Sequence, residues 1–393
     1  MPPPAATTVA YVIAARRSAL GRVGGLHKSR RVEELAAPVI AAALADAGIK
    51  PREVEEVIVG NASEGGNPAR LIALAAGLAE TCAASTVDRQ CGSGLEAILS
   101  AIRVVQCGDA EIVVAGGAES ISNAPWRIAK PKSLHQIPRF LGLEPGSQPD
   151  EDEPPQELEA AEAMSQALGL SRGEQDAWAL KSHLRAAAAR EARRFVGEIV
   201  PLRGNAEEAR DQSAIEPDLE DLEKLPPVLS PEGSLTAGNT STLHDGSGFA
   251  VIVSERQWQR LGQPPALRLL ASATQGVGPD RDPLAPVEAA RKLMTRLPDL
   301  DIASIGVVEL SESSAAQAIA VGRELGIDAD RINPDGGAVV RGHPHGAAGA
   351  ILVVRLYTHL VRAGGAGRPQ RGLALVGTRG GMGLAALFEA TRR

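Results

Sequence analysis

Two stretches of this 393-residue chain place reactive residue types where the local backbone would activate them. The first is VDRQCGSGLEAI, with Cys91 between a strand-like run and the start of an apolar helix. A thiol at a helix N-terminus faces free backbone N–H groups and the positive end of the helix dipole, and both stabilise a thiolate. Gly92 and Gly94 permit close backbone approach, and their N–H groups are candidate donors to an oxyanion. A lone cysteine is most often a small buried hydrophobe. The flanking glycines favour a nucleophile at Cys91, whereas Cys82 and Cys107 lack that context and read as packing residues. The second stretch is NPDGGAVVRGHPHGAAGA, a glycine-rich loop holding His343 and His345. A nucleophilic cysteine needs a base to take its proton, and His343 is the candidate. A zinc site from these histidines and one remote thiol is the competing reading, but no CxxC accompanies them. His345 reads as packing or as support for its neighbour.

A third element, VGTRGGMGLAALFE, joins a strand to a glycine loop near the C-terminus. A phosphate cradle is the generic alternative, yet no Lys-Ser/Thr follows the glycines as in a Walker motif. Backbone lining of the same pocket fits better.

The elements that position these residues alternate short apolar runs with helix-period stretches, the pattern of α/β architecture. Strands are expected at Val9–Ala14, Val57–Gly60, Ile112–Ala115, Ala250–Val253, Gly306–Leu310 and Leu373–Val376. Helices are expected at Val32–Ala47, Leu95–Cys107, Glu174–Arg193, Val287–Arg296 and Ala347–Arg362. Between about Asn123 and Pro231 the chain turns proline-rich and charged, which predicts an insertion of loops and a few helices outside the core sheet. Acidic runs such as Asp150–Glu153 read as solvated loops. The parts flanking the insertion resemble each other. Each runs strand, reactive loop, long apolar helix, strand, as an internal duplication would. Cys91 and His343 then hold matching positions, and packing the halves about a pseudo-twofold brings them together.

Composition bounds the remaining possibilities. A chain this long is expected to exceed one hydrophobic core. Hydrophobic residues make up 44%, charged residues 23% and aromatics 2%, with 42 glycines, so the core must be aliphatic and closely packed. A net charge of −7 disfavours a nucleic-acid groove. Three cysteines make no disulfide framework and suit a reducing cytoplasm. No signal peptide is expected from MPPPAATTVAYVIAARR. The apolar run AAGAILVVRLYTHLVRAG carries Arg355, His359 and Arg362, and reads as a buried helix, not a membrane span.

Taken together, these motifs resemble the thiolase family along nearly the whole chain. The opening RRSALGRVGGLHKSRRVEELAAPVI is similar to the family's start. NPARLIALAAGL, VDRQCGSGLEAI, GGAESISNAPW, LTAGNTSTLHDGSGFAVIVSE, ELSESSAAQAIA, NPDGGAVVRGHPHGAAGA and GTRGGMGLAALFE follow in family order. The resemblance implies an α/β thiolase fold, five-layered αβαβα, from two similar halves with an inserted loop domain. Residues 1–122 would be the N-terminal half, 123–231 the loop domain, 232–262 the return to the first half and 263–393 the C-terminal half. It implies a homodimer or homotetramer, coenzyme A as substrate and no permanently bound cofactor or metal. By position, Cys91 accepts the acyl group. His343 activates it and helps bind the thioester oxygen. Ser241 lies beside the pantetheine arm, and Gly380 supplies a second oxyanion N–H.

The departures bear on mechanism. Gly377 stands where the family carries a second cysteine, the thiol that moves the α-carbon proton in Claisen chemistry, and glycine has no group to do so. Ser311 stands where an asparagine holds a catalytic water. Arg341 replaces an apolar residue, and Arg379 lies in the C-terminal loop. Arginines are mostly exposed; turned inward, these would suit a substrate with a distal carboxylate. The stretch AIEPDLEDLEKL is acidic where the family carries a basic contact to coenzyme A. The expected activity is acyl transfer through Cys91 to or from coenzyme A or a second acyl-CoA. The alternatives are an acyl-enzyme transferase or hydrolase without Claisen activity, or a weak homologue acting as a binding subunit.

Overall fold

The computed structural model describes residues 8–141, 157–204, 207–212, 217–363 and 369–391. The acidic run Asp150–Glu153 lies outside them. The strands that carry the fold are β1 (Ala10–Ser18), β2 (Glu56–Gly60), β3 (Ala83–Val87), β4 (Ile112–Glu119), β5 (His244–Ser254), β6 (Leu267–Gly276), β7 (Val307–Leu310), β8 (Arg371–Thr378) and β9 (Met382–Ala390). Their order across the sheet is β7-β8-β9-β6-β1-β5-β4-β2-β3. The two halves meet where β1 pairs with β6, in a register of only Tyr11 with Arg268 and Val12 with Leu267. Within each half the outer strands are parallel, and the strands toward that seam are antiparallel.

The helices are α1 (Val32–Ala47), α2 (Pro68–Ala75), α3 (Ser93–Cys107), α4 (Glu157–Ala167), α5 (Arg172–Glu191), α6 (Ala285–Thr295), α7 (Ala315–Leu325) and α8 (His345–Tyr357). Strand alternation sorts them into layers, because successive side chains point to opposite faces. Val113 and Ala115 of β4, with Ala374 and Val376 of β8, pack around α3 and α8. Ile112 and Val114 pack against α1 and α2 on one outside. Leu373 and Leu375 pack against α6 and α7 on the other. The result is α1/α2, sheet, α3/α8, sheet, α6/α7: five layers with two helices sealed in the middle.

Every residue of α8 is buried. This is why the apolar run holding Arg355 is a core helix, and its last turn widens over Thr358–Arg362. Among the described residues no helix is long and apolar enough to cross a membrane. The expected strands and helices are all present within a few residues. The strand-like run before Cys91 is β3, whereas β6, β9, α2, α4 and α7 were not anticipated: their strands lack clean alternation, or their apolar positions are mostly alanine. The insertion contains α4, α5 and a small hairpin of Arg127–Ala129 with Arg139–Leu141. It is not wholly outside the sheet, because Ile199–Val200 pairs with Arg17–Ser18 of β1. The buried ion pair of Arg17 with Glu198 at 2.6 Å draws that segment in.

Candidate active site

β3 ends at Val87, and the chain turns sharply before α3 begins. Gln90 takes a positive φ of 51° there, a conformation uncommon for a residue with a side chain. Ser93 locks the turn: its Oγ accepts from the Arg89 N–H at 2.7 Å and donates to the Gln90 carbonyl at 2.6 Å. Cys91 sits in this turn, buried at 6% exposure, immediately before the helix. The neighbouring glycines serve packing. A side chain on Gly92 would strike Thr378 and Leu384 at 2.8 Å, and one on Gly94 would strike the Gly346 carbonyl at 2.7 Å. The Gly92 N–H donates to the Arg89 carbonyl at 3.0 Å, so it is spent within the turn. The Gly94 nitrogen lies against Gly60. The expectation that both N–H groups line an oxyanion site is therefore narrowed: the turn spends that of Gly92.

His343 is held by backbone on both sides. Its N–H donates to the Thr242 carbonyl at 2.8 Å, and its carbonyl accepts from the His244 N–H at 3.1 Å. The His244 ring occupies the space a side chain on residue 342 would take, so only glycine fits before His343. His343 is 8% exposed, and its Nδ1 has no hydrogen-bond partner. Burial, reinforced by His345 and His244, pushes its imidazole down to about 3, so the ring is neutral at physiological pH. His345 opens α8 with a positive φ of 25° and lies 5.7 Å from His343, ring to ring. Among the described residues no group of three His, Cys, Asp or Glu side chains is arranged to hold a metal.

Glu119 anchors the α8 N-terminus from the other half. Its carboxylate accepts from Gly346 N–H at 2.9 Å, Ala62 N–H at 3.0 Å, Asn61 Nδ2 at 3.0 Å and the Ser63 hydroxyl. Burial nevertheless lifts it to about 7. Neither Glu119 nor His244 was singled out from sequence. GGAES and LHDGSG carry no signal of which distant loop they meet, although a carboxyl after an all-apolar strand was one available hint.

α3 and α8 pack most closely at Gly94 against Gly346 and Ala350, and at Leu95 against Gly349. Cys91 and His343 each stand three residues before that first glycine contact. The structure thus brings the two to adjoining helix starts, as the matched repeats predict. Ser311, at the end of β7, accepts from the Gly377 N–H at 3.2 Å and shares with His343 a small cavity of about 20 Å³. Ser241 donates its N–H to the Ser313 carbonyl at 2.9 Å. It adjoins Thr242 and Leu243, which line a cleft of about 710 Å³ with Arg22, His183 and Asp221.

Several expectations change at the C-terminal loop. Gly380 and Gly381 form a tight turn with φ of 87° and 77°. The Gly380 N–H donates to the Asp282 carboxylate at 3.2 Å, so it is not an open oxyanion donor. Asp282 is itself buried and lifted to about 7 by desolvation. A side chain at Gly377 would point at Gln317 Nε2, 2.9 Å from its β-carbon, and at Pro286. Thr378, on the opposite face of β8, is the loop residue that packs on the Cys91 turn. Arg341 is not a surface residue: it is 5% exposed and reaches Glu309 at 3.4 Å. Arg379 is half-buried. Cys82 is buried, but Cys107, at the end of α3, is exposed.

Two helix starts meet between the two α/β halves, and comparisons with known proteins identify the class to which this arrangement belongs. The thiolase N-terminal domain profile matches residues 10–256, and the thiolase C-terminal domain profile matches residues 263–390. The chain belongs to the thiolase family and is an acyltransferase. It is 38% identical over 403 residues to a beta-ketoadipyl-CoA thiolase of Pseudomonas aeruginosa, covering 96% of this chain and 98% of that one. It is 36% identical to an acetyl-CoA acetyltransferase of Shinella zoogloeoides, covering 98% and 100%. The crystal structure of the Bacillus anthracis acetyl-CoA acetyltransferase superposes with a TM-score of 0.90 at 34% identity, covering 98% of this chain and all of that one.

Proposed function

We propose that this protein moves acyl groups between coenzyme A and an acceptor through a thioester on Cys91, with His343 as its proton carrier. The adjoining placement of Cys91 and His343 at the starts of α3 and α8 carries the reading. The Cys91 sulfur attacks the thioester carbonyl of an acyl-CoA, its proton passing to neutral His343. The new C–S bond forms, the bond to coenzyme A breaks, and the departing thiolate recovers the proton. A lone imidazole here resists charging, but a thiolate beside it supplies the opposite charge that burial otherwise denies. The cavity shared by Ser311 and His343 is large enough for one water, which would let the serine act where the family uses asparagine. The cleft beside Ser241 would take the pantetheine arm.

Gly377 favours acyl transfer without efficient carbon–carbon chemistry as a second reading. It supplies no proton carrier, and its missing side chain faces Gln317, which is clamped by bonds to Pro283 and Ser313 at 3.2 and 2.9 Å. A homodimer or homotetramer fits the exposed Trp126, Leu134, Ile137 and Phe140 around the small hairpin, and the setting is cytoplasmic.

Intact-mass spectrometry after incubation with acetyl-CoA tests the first step. An acetyl adduct should appear on the native protein and not on Cys91→Ser; its absence from both would end the proposal. Acetoacetyl-CoA cleavage by coenzyme A should be slow. Gly377→Cys should gain less than ~10-fold, since its thiol would face Gln317 and Pro286 on the side of β8 away from the Cys91 turn. Fast cleavage by the native chain would remove the second reading.

A further inference from the structure

A second cavity, of about 370 Å³, opens where the end of α5 and the turns of residues 195–198 meet the one-turn helix Ala338–Arg341. It is separate from the cleft beside Ser241. Among the described residues its wall carries Arg190, Arg193, Arg210 and Arg341 with one carboxylate, Asp211, and with Phe195 and aliphatic side chains between them. Asp211 is already engaged elsewhere and does not complete the pairing of Arg341. Its oxygens already accept from Arg17 Nη1 at 2.6 Å, Arg17 Nη2 at 3.0 Å and the Leu20 N–H at 2.9 Å.

Arg341 is the deepest of the four, and its pairing is incomplete. Nη2 reaches Glu309 at 3.4 Å, a long contact. Glu309 is shared with His359 at 3.0 Å and Arg355 at 3.8 Å. Nη1 of Arg341 is buried and has no hydrogen-bond partner. A buried cationic donor without an acceptor is costly, so a native structure that keeps one ordinarily supplies its partner from outside. Charge, depth and the apolar wall specify that partner.

We propose that this cavity binds a small organic anion, its carboxylate on Arg341 and its short apolar body against Phe195, with Arg193 and Arg210 at the mouth. The anion completes the guanidinium's hydrogen bonds, and its hydrocarbon part removes the aliphatic wall from water. Arg341 is joined through Gly342 to His343, so an occupied cavity stiffens the loop that holds the histidine. This site does not depend on thioester formation at Cys91, and its test reads binding alone.

The probes are adipate, its uncharged diamide and inorganic phosphate, measured by calorimetry and thermal unfolding of the full chain. Adipate should bind and raise the Tm at millimolar concentration, and the diamide should do neither. Arg341→Leu should weaken adipate binding by ~10-fold or more, the usual loss for a charge-assisted contact. Arg210→Ala, at the exposed mouth, should weaken it several-fold and leaves folding untested by core changes. Failure of adipate to bind would overturn the proposal. So would equal binding by the native protein and both variants, or phosphate binding as tightly as adipate, which would leave the apolar wall without a role.

Discussion

Glu119 shows how much a single buried group can be asked to do. Its acceptors are saturated, and each bond favours the carboxylate, yet desolvation wins and holds it at about 7 instead of 4.5. The folded state therefore binds this proton more tightly than the unfolded chain does. Its contribution to stability is full below pH 4.5 and is lost as pH rises through 7. The loss across that window is about 3 kcal/mol from the size of the shift. Urea unfolding at pH 5 and pH 8 should show a smaller pH-dependent difference in Glu119→Gln than in the native protein. Parallel pH curves would assign the dependence elsewhere. Asp282 acts in the same direction and is present in both proteins, so the comparison isolates Glu119. Cys91 and His343 stood out as candidates from their glycine-rich loops alone. Thr378 was legible only in part: alternation from Val376 puts it on the inner face of β8, but not against Gly92.

At the scale of elements, α3 and α8 carry the site because glycines let them touch. The apolar face of α3 could be read from Leu95, Ile98, Leu99, Ile102 and Val105, all now buried. Which glycine meets which neighbour could not, since that depends on how two distant helices cross. Gly94→Ala would set a methyl 2.7 Å from the Gly346 carbonyl and 2.8 Å from the Ala350 nitrogen, both backbone atoms unable to turn aside. The expected cost is about 1–3 kcal/mol of stability from overpacking. Acylation of Cys91 should slow by ~10-fold or more as the helix starts separate. Urea midpoints and quenched mass spectrometry measure the two. A destabilised variant that acylates at the native rate would show that the reacting geometry does not depend on this contact.

Across the whole molecule, a buried ionic network ties the insertion to both halves. Arg17 of β1 pairs with Glu198 and Asp211, and Arg355 of α8 pairs with Glu198 and Asp335. Thr358 adds a hydroxyl to Glu198 at 2.7 Å. Removing one charge from such a network leaves its partners desolvated and unpaired. Arg355→Leu should therefore cost about 3–5 kcal/mol in urea unfolding. A loss below 1 kcal/mol would mean that water or rearranged side chains take over the arginine's role, on the scale of an exposed pair. Nothing in the one-dimensional pattern marked these residues as partners. Arg17, Glu198 and Arg355 are far apart along the chain, and charged residues are by default expected at the surface.

Local chemistry and periodicity were sufficient to read the α/β layering, the candidate loops of Cys91 and His343 and the absence of a thiol at Gly377. These rest on short-range rules: alternation, helix period, glycine tolerance and the polarity of a helix start. Tertiary structure alone decided which polar groups remain available. It spent the N–H groups of Gly92 and Gly380 on internal bonds, buried Arg341 beside Glu309 and opened an arginine-lined cavity behind His343. A donor or a charge is free or satisfied only with respect to atoms that folding brings from elsewhere in the chain.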